Sequence, residues 1–187
     1  CPMSGRYFGT SVPRKEDPRF LTGRGRYVDD IELPRMAQAY VLRSPHANAR
    51  IKSIDTAAAK DAPGVLAVLT GDDLKKDGLG EIHCHFPVPL LAGPPVGSPF
   101  PALAQGVVKC VGMPVALVVA DTAAAAEDAR DLVEVEYRDL PAVASLDAAL
   151  APGAPQLHAE VPGNLAFEYV SGDEQAVAAA FTRAQHV

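Results

Sequence analysis

Hydrophobic and polar positions change rhythm several times along the chain. Residues 1–35 follow neither the period of 2 nor that of 3.6. Pro13, Pro18, Gly23, Gly25 and Pro34 interrupt every run, so the segment reads as an extended arm with a short strand near Tyr27 and Val28. Alternation begins after Ala37, with Ala39, Val41 and Arg43 set against Tyr40 and Leu42 until Pro45 ends the run. Ala49, Ile51 and Ser53 then alternate with Arg50, Lys52 and Ile54. Asp55 or Thr56 can cap a short Ala-rich helix over residues 56–60, which Pro63-Gly64 stops. Val65 to Leu69 has the length and composition of a buried strand, and Thr70-Gly71-Asp72-Asp73 is a turn that opens another helical turn.

Residues 77–106 are the least regular, rich in proline and glycine; a loop this long inside a domain is usually functional or partner-bound. Strands are expected over Val107 to Val111 and Val115 to Ala120, broken at Gly112 and Pro114. Asp121 or Thr122 should cap a helix to about Arg130, and Leu132 to Tyr137 alternates apolar with acidic residues as a half-buried strand does. Ser145 to Leu150 suits a short helix, Ala151 to Pro162 a Pro-rich crossing, and Phe167 to Val170 a short strand. Last comes an amphipathic helix capped by Asp173, with Ala176, Val177, Ala180, Phe181 and Ala184 on one face. His186-Val187 reads as the first step of a strand that continues beyond the chain, as in an excised fragment. Strands and helices in this order predict an α+β fold with a mixed sheet.

Composition narrows the class. Of the 187 residues, 48% are hydrophobic and 21% charged, a globular balance, while aromatics are only 6% and tryptophan is missing. The core must therefore be built from alanine and valine, which lets helices approach a sheet closely. The net charge of -6 is uneven: residues 1–35 carry +2 and the remainder -8. An acidic body argues against broad nucleic-acid or anionic-membrane binding, and with no long apolar span visible no membrane insertion is expected. The arm alternates charges in sign, which suits a specific protein surface. Cys1, Cys84 and Cys110 are an odd set without metal-type spacing, so a reducing cytoplasm is the expected compartment.

No cluster assembles a reaction centre. Gly23-Arg24-Gly25-Arg26 starts like a phosphate loop but lacks the preceding strand, the third small residue and the following helix. Its glycines let the arm turn, leaving Arg24 and Arg26 for salt bridges or interface contacts. His83 and His85 would face one side of an extended chain, yet zinc wants four ligands and a second pair is lacking. Ser44-Pro45-His46 has no nucleophile elbow and no evident orienting acid. Asp29-Asp30 and Asp72-Asp73 are adjacent carboxylates, which diverge in strands and mostly cap helices in turns. No catalytic, cofactor-binding or metal residue is assigned. The candidate interface residues are Arg24, Arg26, Asp29, Asp30, Arg43 and His46.

The ordered set of segments is more specific than any one of them. Arg14-Lys15-Glu16-Asp17-Pro18-Arg19-Phe20-Leu21-Thr22-Gly23, then Gly25 to Asp30, Arg43-Ser44-Pro45-His46-Ala47 and Ala49 to Asp55 follow one another at a recognisable spacing. Pro63-Gly64-Val65, Thr70 to Asp73, Val111 to Ala116 with Val118 to Ala120, Ala129 to Tyr137, Leu140 to Val143, Asn164 and Gly172-Asp173 through Phe181 complete it. Together they resemble the N-terminal portion of the large subunit in the xanthine dehydrogenase, aldehyde oxidase and aerobic carbon monoxide dehydrogenase family. The chain departs from that pattern at Met113, often acidic or amide in the family, and at Val107 to Cys110, usually more polar and aromatic; both changes are expected to alter a local surface.

The resemblance implies an α/β-hammerhead domain over residues 36–162, preceded by the arm at 1–35 and followed by the start of a further segment at 163–187. It implies a molybdenum-dependent parent oxidoreductase acting on carbon monoxide, an aldehyde or an N-heterocycle such as a purine. Molybdopterin would lie on the rest of the large subunit, and iron-sulfur clusters and FAD on partner subunits or domains. This chain would be a non-catalytic scaffold and subunit contact. A second reading of the same residues is a stand-alone oligomeric binding or assembly module that keeps the fold without catalysis, and a small metal protein built on His83 and His85 is a third.

Overall fold

The computed structural model describes residues 11–82, 100–166 and 171–186. The chain forms two compact units, one through Met36 and one from Ala37 onward.

The first unit is not extended throughout, as its irregular pattern suggested. Asp17–Leu21 forms a short helix, α1, with proline in its first turn, where a missing N–H is harmless. Arg14 donates from both its backbone N–H and Nε to the Asp17 carboxylate, at 3.2 and 3.0 Å. The expected strand at Tyr27 and Val28 is instead a 3-10 turn over Val28–Asp30, because the Asp30 carboxylate accepts the Tyr27 N–H at 2.8 Å and bends the chain. Phe20 and Tyr27 stack with ring centroids 5.7 Å apart, and the Arg19 guanidinium lies 5.0 Å from the Phe20 centroid. Gly25 is needed beside that ring: a Cβ there would sit 2.6 Å from Phe20 Cδ1.

The second unit holds two three-stranded sheets. β1 (Gln38–Arg43), β5 (Pro114–Ala120) and β3 (Val65–Thr70) form one, in the order β1-β5-β3. β4 (Val107–Val108), β2 (Ala49–Asp55) and β6 (Glu134–Asp139) form the other, in the order β4-β2-β6. The α+β class holds, but every pairing among the described strands is antiparallel, which corrects the single mixed sheet expected. Strand patterns fix which residues face inward, not which strands become neighbours.

Three helices complete the layers: α2 (Ala57–Lys60), α3 (Gly71–Lys76) and α4 (Ala123–Asp131), the last packing on β1 and β5. Thr122 caps α4, its Oγ1 accepting the Ala125 N–H at 3.1 Å. Ala126 and Ala129 are buried on the sheet side of α4, so the small side chains do bring helix close to sheet. One core gathers Ala59, Val68, Ala116, Val118, Ala129 and Val133; the other gathers Ala49, Ala104, Val108, Met113 and Val115. Successive residues of β5 serve opposite faces, so Val115 enters the second core while Ala116 and Val118 enter the first. Ile54 and Val135 pack against both.

Two local differences have clear causes. The strand expected to run to Val111 stops at Val108, because the Lys109 N–H turns to Met113 Sδ at 3.4 Å and Gly112 takes φ +83°. Pro114 opens β5 rather than interrupting it, since the first residue of a strand tolerates the missing donor. Of the positions that depart from the family pattern, Val108 and Met113 are buried in the second core, while Cys110 is exposed and Val107 and Lys109 line an open groove.

Toward the C-terminal end lie α5 (Leu146–Leu150), capped by Ser145, and α6 (Glu174–Arg183), capped by Asp173. Asn164, at φ 58°, binds the crossing together: its Oδ1 accepts from Leu157 N, and its Nδ2 donates to the Ala149 and Pro155 carbonyls, all at 3.0 Å. The apolar face of α6 is exposed, Val177 at 52% and Phe181 at 57%. The strand expected at Phe167 to Val170, and His83, Cys84 and His85, lie outside the described residues.

Candidate functional site

Arg43 ends β1, the loop from there to β2 carries Ser44 and His46, and this corner is locked to the turn before β5. Ser44 N donates to the Met113 carbonyl at 2.9 Å, Gly112 N donates back to the Ser44 carbonyl at 2.8 Å, and Arg43 Nη1 reaches the Gly112 carbonyl at 2.9 Å. Ser44 is buried, and its Oγ accepts the His46 N–H at 3.0 Å. The Tyr137 phenol also bonds to the Ser44 side chain; burial pushes that phenol's pKa up, and the Ser44 bond works against the shift.

His46 Nδ1 lies 2.7 Å from Asp139 Oδ1, and its ring packs on Tyr137 with centroids 4.5 Å apart. Asp139 is the orienting acid that the sequence does not reveal. It ends β6, and it meets His46 only because β6 pairs with β2 in a register that sets Asp139 opposite Ala49. The arrangement holds a base by a carboxylate, as a catalytic dyad does. It lacks a nucleophile, because the Ser44 hydroxyl is buried and bound within its own turn. The cluster therefore fixes the shape of this sheet end.

Asn48 extends the same end, its Nδ2 donating to the Pro141 carbonyl at 2.6 Å and its own carbonyl accepting Leu140 N at 3.0 Å. Beside it opens a groove of about 500 Å³, walled by Asn48, Lys109, Leu140, Gln156, Leu157 and Glu160.

The remaining candidates are dispersed. Arg24, Arg26, Asp29 and Asp30 belong to the first unit, where Arg24 Nε donates to Thr22 Oγ1 at 3.1 Å and Asp30 caps its turn. Neither Arg24 nor Arg26 forms an ion pair among the described residues. In the second unit Asp73 caps α3, accepting from Thr70 N at 2.9 Å and Thr70 Oγ1 at 2.7 Å, so neither aspartate pair converges on a reacting atom. Among the described residues no three His, Cys, Asp or Glu side chains converge to hold a metal ion. No helix among them is long and apolar enough to cross a membrane.

Comparison with known proteins bears on this fold as a whole. Residues 22–141 match the model of the aldehyde oxidase and xanthine dehydrogenase a/b hammerhead domain. The carbon monoxide dehydrogenase large chain of Afipia carboxidovorans is 39% identical, over 96% of this chain and 22% of its own length. The nicotine 6-hydroxylase large subunit of Paenarthrobacter nicotinovorans is 40% identical, over 100% of this chain and 22% of its own. The solved structure of reconstituted CO dehydrogenase from Oligotropha carboxidovorans superposes with a TM-score of 0.70 at 38% identity, over 95% of this chain and 22% of that one. The chain thus spans about a fifth of the length of the curated relatives it matches. Its two antiparallel sheets, packing helices and near-complete alignment with these oxidoreductase large chains make it a member of the aldehyde oxidase and xanthine dehydrogenase hammerhead family.

Proposed function

We propose that this chain is the non-catalytic scaffold and subunit-contact part of a molybdenum hydroxylase large subunit. The observation that carries the reading is its alignment, over nearly all its length, with about a fifth of large chains of that enzyme class. The parent enzyme oxidises a small molecule such as carbon monoxide, an aldehyde or an N-heterocycle, in the cytoplasm. Its molybdenum cofactor sits on the remainder of the large subunit, and iron-sulfur and flavin subunits take the electrons. In this reading Arg24, Arg26, Asp29 and Asp30 make contacts from the arm, Arg43 from the end of β1 and His46 from the loop before β2. A stand-alone oligomeric module explains less, because the relatives named above are large chains of oxidoreductases.

Amide exchange tests the role. Residues 14–30 should exchange several-fold more slowly in the complete enzyme than in this chain alone, since docking removes local opening. Equal protection in the two would refute the docking arm.

A further inference from the structure

Leu33 to Met36 form a tight turn, closed by the Met36 N–H donating to the Leu33 carbonyl at 3.1 Å. Pro34 fills its first central position, where the ring presets φ, and Arg35 fills the second at φ +61°. Proline followed by a positive φ makes this a type II turn, whose second central position favours glycine. An arginine holds that left-handed conformation only at a cost, and glycine would make the same turn without it. Asn164 is the other non-glycine residue with a positive φ among the described residues, and its side chain bonds Leu157, Ala149 and Pro155 from that conformation. Arg35 has no such return inside the chain. Among the described residues its guanidinium makes no hydrogen bond, ion pair or ring contact, and Glu32, the nearest acid in sequence, is not paired with it.

On the scaffold reading above, we infer that Arg35 anchors the arm: its guanidinium takes a carboxylate on the remainder of the large subunit, and Ile31, Leu33 and Met36 are covered around it. The three apolar side chains stand exposed beside the charge, and none of the described residues of this unit is buried. The arm therefore has no core of its own to hold these groups. Arginine and methionine are enriched where protein surfaces bury one another, and arginine is among the usual anchors at the centre of such a contact. The guanidinium presents a flat fork that matches a carboxylate through two parallel hydrogen bonds, and a turn with both central φ angles fixed presents it from a defined backbone. The chain covers 22% of each of the large chains it matches, so most of such a subunit lies outside it and offers the complementary surface.

In this chain alone, Arg35→Gly should unfold at the same urea concentration as the unmodified protein or at a higher one, because glycine relieves the turn. A lower midpoint would mean that the arginine serves the fold, and would overturn the inference. Amide exchange of residues 31–36, compared between this chain and the complete enzyme, gives the protection gained on assembly. Arg35→Gly should lower that protection several-fold. Arg35→Lys keeps the charge and the strained φ together, so it should retain more of the protection than glycine does. Protection unchanged in Arg35→Gly, or no advantage of lysine over glycine, would overturn the carboxylate contact. Residues 14–30 of the unmodified enzyme are read in the same experiment and separate the two claims. If they gain no protection, the docking arm itself fails; if they gain it while Arg35→Gly changes nothing, only the anchor fails.

Discussion

Asp73 shows how much one side chain can settle. Its carboxylate takes both the backbone N–H and the hydroxyl of Thr70, and these two bonds hold its pKa below the ordinary 3.8, with burial opposing and Lys76 and Lys60 assisting. A depressed folded value means the stabilisation is fully present above the unfolded value and is lost as pH falls through the folded one. Asp73→Ala should therefore destabilise the chain by about 1 kcal/mol at neutral pH, the low end for a cap because the side chain is about a third exposed. Urea unfolding at pH 7 and again near pH 3 checks the sign, since acid should narrow the gap between the two proteins. An unchanged gap would mean the carboxylate charge contributes nothing. The sequence locates a capping aspartate in this turn without distinguishing Asp73 from Asp72. That choice depends on which residue stands three beyond Thr70 once α3 starts at Gly71.

Elements whose signal is local were legible; those set by partners were not. The alternation in β1, β2 and β6, the apolar run of β5 and the caps of α4, α5 and α6 all lie within a few residues of the atoms they position. The order β1-β5-β3 and the meeting of His46 with Asp139 need register between distant strands, which no local pattern encodes. The helix α1 went unread because it is five residues long and buries none of them, so it leaves no hydrophobic period. Gly71 offers a test at this scale. Alanine in place of glycine within a helix ordinarily stabilises by up to about 1 kcal/mol. Here a Cβ would stand 2.3 Å from the Ala104 carbonyl oxygen, and backbone must move to admit it. Gly71→Ala is expected to destabilise by about 1–3 kcal/mol, measured by urea unfolding, and a stabilised variant would rule out that close approach.

At the scale of the molecule, stability and docking draw on different hydrophobic groups. The cores are assembled from alanine and valine, and Val118 lies fully buried in the first of them. Val118→Ala removes two methyl groups and leaves a void, which should cost about 2 kcal/mol in this chain. Phe181 is much larger, yet it is more than half exposed on α6. Phe181→Ala should shift the stability of the chain by no more than about 0.5 kcal/mol, the range of an ordinary surface change. Size alone would rank the two substitutions the other way, so the comparison isolates burial. In the complete enzyme the scaffold role predicts that the rest of the large subunit covers this face. Hydroxyl-radical footprinting should then find Phe181 several-fold less reactive there than in the isolated chain, with Leu66, exposed on β3 and outside the proposed contacts, as an internal reference. Equal reactivity of Phe181 in both contexts would show that α6 faces solvent in the enzyme and contributes no contact.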